Sequence, residues 1–152
     1  MKFLSTSLLA LGLIAAAGHA QAANNCTIAV KGDDAMKFDV KEVSVSASCP
    51  TITIQFAHTG KMPAAAMGHN VVISATKDLD GVVRDGVKAG LPNNYVPKGD
   101  ARVIAATKIV GGGEKATATF PGKKLTAGGD YSFYCSFPGH SMLMKGKVVV
   151  TK

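Results

Sequence analysis

Three side chains able to bind a soft metal ion fall on one short segment near the end of the chain: Cys135, His140 and Met144. Pro138-Gly139 between them lets the backbone fold back, so that a thiolate, an imidazole and a thioether can converge. A thiolate with imidazoles and a long thioether contact is the donor set of trigonal copper sites. Structural zinc instead takes closed tetrahedral sets of Cys and His without thioether. The copper set needs a second imidazole. His69, in Met67-Gly68-His69-Asn70-Val71-Val72-Ile73, opens a separate strand-like run and can supply it. The missing side chain at Gly68 would let its carbonyl approach the same ion.

Two other chemistries fit less well. Cys135 as a nucleophile with His140 as its base would make a thiol enzyme, but no carboxylate lies near either residue to orient the imidazole. That reading also leaves Met144 and the Gly68-His69 pair without a purpose. Gly111-Gly112-Gly113 could suggest a phosphate cradle, yet no strand-to-helix context or following Lys-Ser/Thr supports one.

Met67-Gly68-His69-Asn70 and Cys135-x4-His140-x3-Met144 together resemble the ligand segments of the azurins, small bacterial blue-copper proteins of the cupredoxin family. The similarity runs from about Cys26 to the C-terminus. It implies one type 1 copper ion held by His69, Cys135 and His140, with Met144 and the carbonyl oxygen of Gly68 as weak axial contacts. It implies that Asn70 ties the His69 segment to the Cys135 loop at Ser136, and that the Phe137 N–H points at the Cys135 sulfur. The function it implies is single-electron transfer in the periplasm, without enzymatic activity, between transient redox partners such as c-type cytochromes or a periplasmic reductase or oxidase. A copper-sequestering or copper-delivery protein on the same scaffold is the alternative, and it would exchange metal readily and lack an electron partner.

Two positions depart from the resemblance. His58 is similar to an azurin histidine that is not a ligand, but Thr59 stands where a proline is usual, and a satisfied structural role is expected for it. Val71 occupies the place of a frequent core tryptophan, and the chain has no Trp at all. Phe38, Phe56 or Phe133 must then fill the core, or a cavity costs a few kcal/mol.

These residues need a rigid frame, and the remaining sequence reads as one. The 152 residues suit one domain, and 47% hydrophobic composition is enough for one core. Met1-Lys2, the apolar run from Leu8 to Ala17 and the small-residue site Ala20-Gln21-Ala22 read as a secretory signal over 1–22, cleaved to leave a cupredoxin domain over 23–152. The apolar run is shorter than the roughly 20 residues of a membrane span, so no span is expected in the mature chain. Loss of Lys2 leaves 16 of the 17 basic residues against 10 acidic ones. The basic surface suits an acidic partner. Nucleic acid is not expected, because the lysines are scattered and no basic run is interleaved with aromatics. A monomer is expected.

An exported chain meets an oxidising compartment, where Cys26 and Cys49 can pair and leave Cys135 as the odd thiol. Pairing of Cys135 with either would instead destroy the ligand loop. Azurins carry a disulfide at the place corresponding to Cys26 and Cys49.

Alternation marks the strands. Ile28 and Val30, then Val43, Val45 and Ala47, then Ile52, Ile54 and Phe56 each share one face. Val71-Val72-Ile73 is apolar throughout and reads as a strand buried on both sides. Further strands follow at Val103 to Ala106, Ala116 to Phe120, Tyr131 to Cys135 and Lys147 to Thr151, separated by Gly-rich turns. About eight short strands indicate an all-β sandwich or barrel, and the resemblance selects a cupredoxin-like Greek-key β-sandwich. Leu79, Val82, Val83 and Val87 recur at helical spacing, but Gly81 and Gly86 each cost a helix about 1 kcal/mol. A short, irregular helical insertion is expected near residues 76–90. The loop from Cys135 to Met144 carries no formal charge, so Met62, Met67, Leu79, Phe137, Pro138, Gly139 and Met142 could form an apolar collar for partner docking.

Overall fold

A computed structural model describes residues 25–152. The signal segment expected over 1–22 lies outside the described residues. Two sheets face each other across one core. The first has the order β2 (Lys37–Phe38), β1 (Thr27–Asp33), β4 (Ile52–His58), β7 (Lys115–Phe120). The second has the order β3 (Glu42–Ser46), β9 (Lys145–Thr151), β8 (Tyr131–Tyr134), β5 (Val72–Ala75), β6 (Val103–Ala106). Among the described residues nine strands form, against about eight expected, because two residues at Lys37–Phe38 pair with β1, too few to show a pattern in sequence.

Alternation produces the core as expected. In β4, Ile52, Ile54 and Phe56 point inward while Gln55 is exposed, and β1 alternates in the same way. Phe38 packs edge-on against Phe56 at 6.2 Å and tilted against Phe133 at 5.5 Å. Val71 is fully buried in this same cluster, which these rings from three strands help to fill.

The second sheet is covered on both faces. Val72 and Tyr134 point away from the main core, where Leu79 and Val82 of helix α2 (Leu79–Ala89) close over them. The helical insertion is therefore a regular 11-residue helix. Its glycines answer to neighbours: a Cβ on Gly86 would collide with the Tyr95 carbonyl, and one on Gly81 would meet the Arg102 guanidinium. Arg102 also bonds Asp85 of the helix at 2.8 Å and Asp100 at 2.5 Å, tying the helix to the strand that follows. The Arg102 guanidinium, and then its backbone N–H, hold the Asp100 pKa down to about 2.

β1 lies parallel to β4, with Thr27 opposite Thr53 and Gly32 opposite His58. Cys26 and Cys49, at the starts of these two strands, are joined by a disulfide. The bridge therefore clamps one end of the sandwich, while Gly32 and His58 lie at the other.

Candidate metal centre

Cys135 follows directly on β8, and His140 and Met144 lie in the turn that leads to β9. Gly139 makes that turn possible: its φ is 82°, a left-handed value open to glycine and costly for other residues. Backbone bonds then lock the loop, with Cys135 N–H donating to Met144 O at 3.0 Å and Met144 N–H to His140 O at 2.8 Å. His69 comes from the other side, held by reciprocal bonds with Val110 of 3.0 and 2.9 Å.

The structure brings these residues together. His69 Nδ1, His140 Nδ1 and Cys135 Sγ form a triangle with sides of 3.1, 3.8 and 3.8 Å. A point at its centre is about 2.1 Å from all three atoms, within the roughly 2.0–2.3 Å of metal–nitrogen and metal–thiolate bonds. All three residues are buried. Gly68 O stands 4.0 Å from Cys135 Sγ, and Met144 is fully buried on the same loop. The donor set thus fits one soft or borderline ion, and the neighbouring thioether favours copper over zinc.

Protonation suits the same purpose. His69 Nε2–H donates to the Asp33 carbonyl at 2.9 Å, which leaves the Nδ1 lone pair facing the triangle. Burial lowers the His69 pKa, partly opposed by that hydrogen bond. Burial, and then the neighbouring His69 and His58, push His140 down to about 4. Burial raises the Cys135 thiol to about 11 against N–H bonds from Asn70 and Phe137 that favour the thiolate. At neutral pH His140 therefore offers a neutral ring, while the thiol must give up a proton to bind a cation.

Surrounding groups fix the donors. Asn70 Oδ1 accepts the Ser136 N–H at 2.9 Å, and Asn70 Nδ2 donates to Ser136 Oγ at 2.9 Å and to Asn94 O at 3.1 Å. His58 stacks on His69 with centroids 4.5 Å apart. Its Nε2–H donates to Met67 O at 2.9 Å and its Nδ1 accepts the Gly60 N–H at 3.0 Å, so both ring nitrogens are satisfied. Gly68 has a reason for lacking a side chain beyond metal access: a Cβ would strike the Ala64 carbonyl and Ile109.

One expected position is corrected. Leu79 is 6% exposed and packs with Val72, Val82 and Tyr134 beneath the helix, so it belongs to the core and not to the collar. Met62 and Met142 are exposed, as are Pro138 and Gly139, while Met67 and Phe137 are half-buried. Leu143, next to Met142 in the chain, is 57% exposed as well. Missed in sequence were Asp33, which acts through its carbonyl, and Gly32, where a Cβ would press on Met144, Phe56 and His69. Neither carries a signal in residue type.

Comparison with known proteins gives a concordant picture. Residues 24–151 match the family described as copper binding proteins, plastocyanin/azurin family. The chain is 53% identical over 121 residues to azurin-1 of Alcaligenes xylosoxydans xylosoxydans, covering 80% of this chain and 94% of that one. It is 48% identical over 136 residues to azurin of Bordetella pertussis, covering 90% and 91%. Among solved structures, an azurin (Az-iso2) from the obligate methylotroph Methylomonas sp. strain J superposes with a TM-score of 0.80 at 40% identity, covering 84% of this chain and 98% of that one.

Proposed function

The chain belongs to the plastocyanin/azurin family of copper-binding proteins, and from that premise we propose that it carries single electrons between transient protein partners in the periplasm. The observation that carries the reading is the buried triangle of His69 Nδ1, His140 Nδ1 and Cys135 Sγ. These residues would hold one type 1 copper ion, with Met144 and the Gly68 carbonyl as weaker further donors. When bound, the ion supplies a one-electron couple between Cu(I) and Cu(II).

The protein's own part is to keep the donors still, since any rearrangement between oxidation states raises the barrier to transfer. Asp33 O fixes the His69 ring, Asn70 fixes the Cys135 loop at Ser136, and the N–H groups of Asn70 and Phe137 stabilise negative charge on the sulfur. Burial of Cys135, His69 and Met144 keeps water from the centre. The electron leaves near His140, where exposed Met142 and Leu143, with Phe137, Pro138 and Gly139, offer an apolar contact face. A small apolar face suits the brief encounters of a carrier.

Residues 1–22 would direct export and be removed, leaving a monomeric domain over 23–152. Among the described residues, no helix is long and apolar enough to cross a membrane. The partners would be proteins with acidic faces, c-type cytochromes or a periplasmic reductase or oxidase among them, met by the net positive charge. Adding Cu(II) to the purified metal-free protein should give an intense blue colour, and Cys135→Ser should abolish it. A colourless wild type would overturn the reading.

A further inference from the structure

The connection between α2 and β6 touches the metal centre through two residues in an unusual conformation. Asn94 and Tyr95 have φ values of 56° and 52°. In this left-handed region Cβ crowds the neighbouring carbonyl, and two non-glycine residues seldom adopt it in succession. Strained backbone persists only where its surroundings fix it.

On one side, the contacts that fix it lead to the ligands. Asn94 O accepts from Asn70 Nδ2 at 3.1 Å and from Ser136 Oγ at 3.3 Å. Asn94 Oδ1 accepts the Ile109 N–H at 2.8 Å, next to the Val110 that pairs with His69. The Tyr95 ring meets Phe137 edge-on with centroids 5.2 Å apart, and Phe137 lies against the His140 ring at 4.5 Å. From behind, the Tyr95 N–H donates to Gly90 O at 3.0 Å, and the Tyr95 carbonyl rests on Gly86 of α2, where a Cβ would collide with it. A glycine in the middle of a helix is unfavourable for the helix alone, so its presence here answers to this close approach.

From this continuous set of contacts we infer that α2 and the Asn94-Tyr95 turn form a brace that positions the ligand loop. Gly86 seats Tyr95. Tyr95 holds Phe137 against His140, and Asn94 joins Asn70, Ser136 and the Ile109 segment at one carbonyl and one amide. Both are positioning residues that touch no donor atom. The electronic consequence rests on the copper reading, whereas the mechanical one does not.

The helix offers its own control. Gly81→Ala places a methyl against the end of the Arg102 side chain, whose bonds to Asp85 and Asp100 must adjust, and leaves Tyr95 alone. Gly86→Ala pushes directly on the Tyr95 backbone. Amide hydrogen exchange would be measured on the full metal-free chain at Ser136 and His140, with Ile54 in the first sheet reporting global unfolding. Gly86→Ala and Tyr95→Ala should each accelerate exchange at Ser136 about tenfold or more relative to Ile54, while Gly81→Ala and Tyr95→Phe match wild type. In the copper-loaded chain the first pair should shift the reduction potential and the visible spectrum, and the second pair should not. Should Gly86→Ala fail to fold, Tyr95→Ala, whose side chain is half-buried, gives the decisive measurement. Ser136 exchange that stays at the wild-type rate in Tyr95→Ala, or that rises only in step with Ile54, would overturn the brace. A wild type that stays colourless with copper would overturn the copper reading alone, because the exchange comparison needs no metal.

Discussion

Replacing Asn70 by Leu removes four polar contacts without opening space. The two side chains share one branched skeleton, Leu being the bulkier, and Asn70 is fully buried, so the cost comes from lost hydrogen bonds and not from a cavity. The Ser136 N–H, also buried, loses its acceptor at 2.9 Å, and an orphaned buried donor costs about 1–3 kcal/mol. Ser136 Oγ loses two contacts with Asn70 and Asn94 O loses one, but the two keep one another at 3.3 Å, which adds about 1 kcal/mol. The expected destabilisation is about 3 kcal/mol, or a fall in melting temperature of roughly 10 °C for a domain of this size. Ser136→Ala, which keeps the N–H bond, should cost only about 1 kcal/mol. Because Asn70 orients the Cys135 loop, its loss should also weaken copper retention by about 10- to 100-fold. Denaturant unfolding of the metal-free protein and competition with a chelator measure the two effects. A loss below 1 kcal/mol with unchanged retention and potential would refute the role assigned to Asn70.

Two further predictions test the protonation of the site and its outer face. The folded His140 pKa of about 4 lies below the ordinary 6.5, so the unfolded chain binds more protons between those values and metal-free stability must fall as pH drops through that window; from pH 7 to pH 5 the loss from this residue should be about 1–2 kcal/mol, and unfolding midpoints that do not move would count against a neutral buried ring. Met142 is 75% exposed, so Met142→Lys should leave stability within about 0.5 kcal/mol yet slow electron self-exchange about tenfold by setting like charges face to face; an unchanged rate in mixed oxidised and reduced samples would exclude this face from contact.

The three corners of the triangle were legible because their types are rare and chemically specific: a cysteine and a histidine at short spacing with a methionine, and a second histidine beside a glycine far upstream, have few bland explanations. The strands of the first sheet were legible because one face meets water, as the alternation of β4 shows. Residues that act through their backbone were not. Asp33 and Asn94 contribute carbonyl oxygens that any residue possesses, and only the folded chain shows what those oxygens meet. Leu79 was misplaced for a related reason: periodicity marks a helix with an apolar stripe but does not say which surface the stripe covers. The two-residue β2 escaped because two residues cannot display a period of two.

The helical insertion shows most clearly how local and tertiary preferences divide. Judged by propensity, Gly81 and Gly86 weaken α2, and a frayed excursion is the natural expectation. Yet the helix runs unbroken for 11 residues, because Leu79 and Val82 gain a buried surface over Val72 and Tyr134. Packing of that face outweighs two glycines, each worth about 1 kcal/mol, since burying a Leu or Val side chain yields about 1.5–3 kcal/mol. The two glycines are not equivalent. Alanine at position 81 meets the end of the Arg102 side chain, which can shift at some cost to its bonds with Asp85 and Asp100, whereas alanine at position 86 meets the Tyr95 carbonyl and should lose more than it gains. A weak helix-forming sequence at this point is therefore a consequence of how closely the helix must approach the segment beside the metal centre.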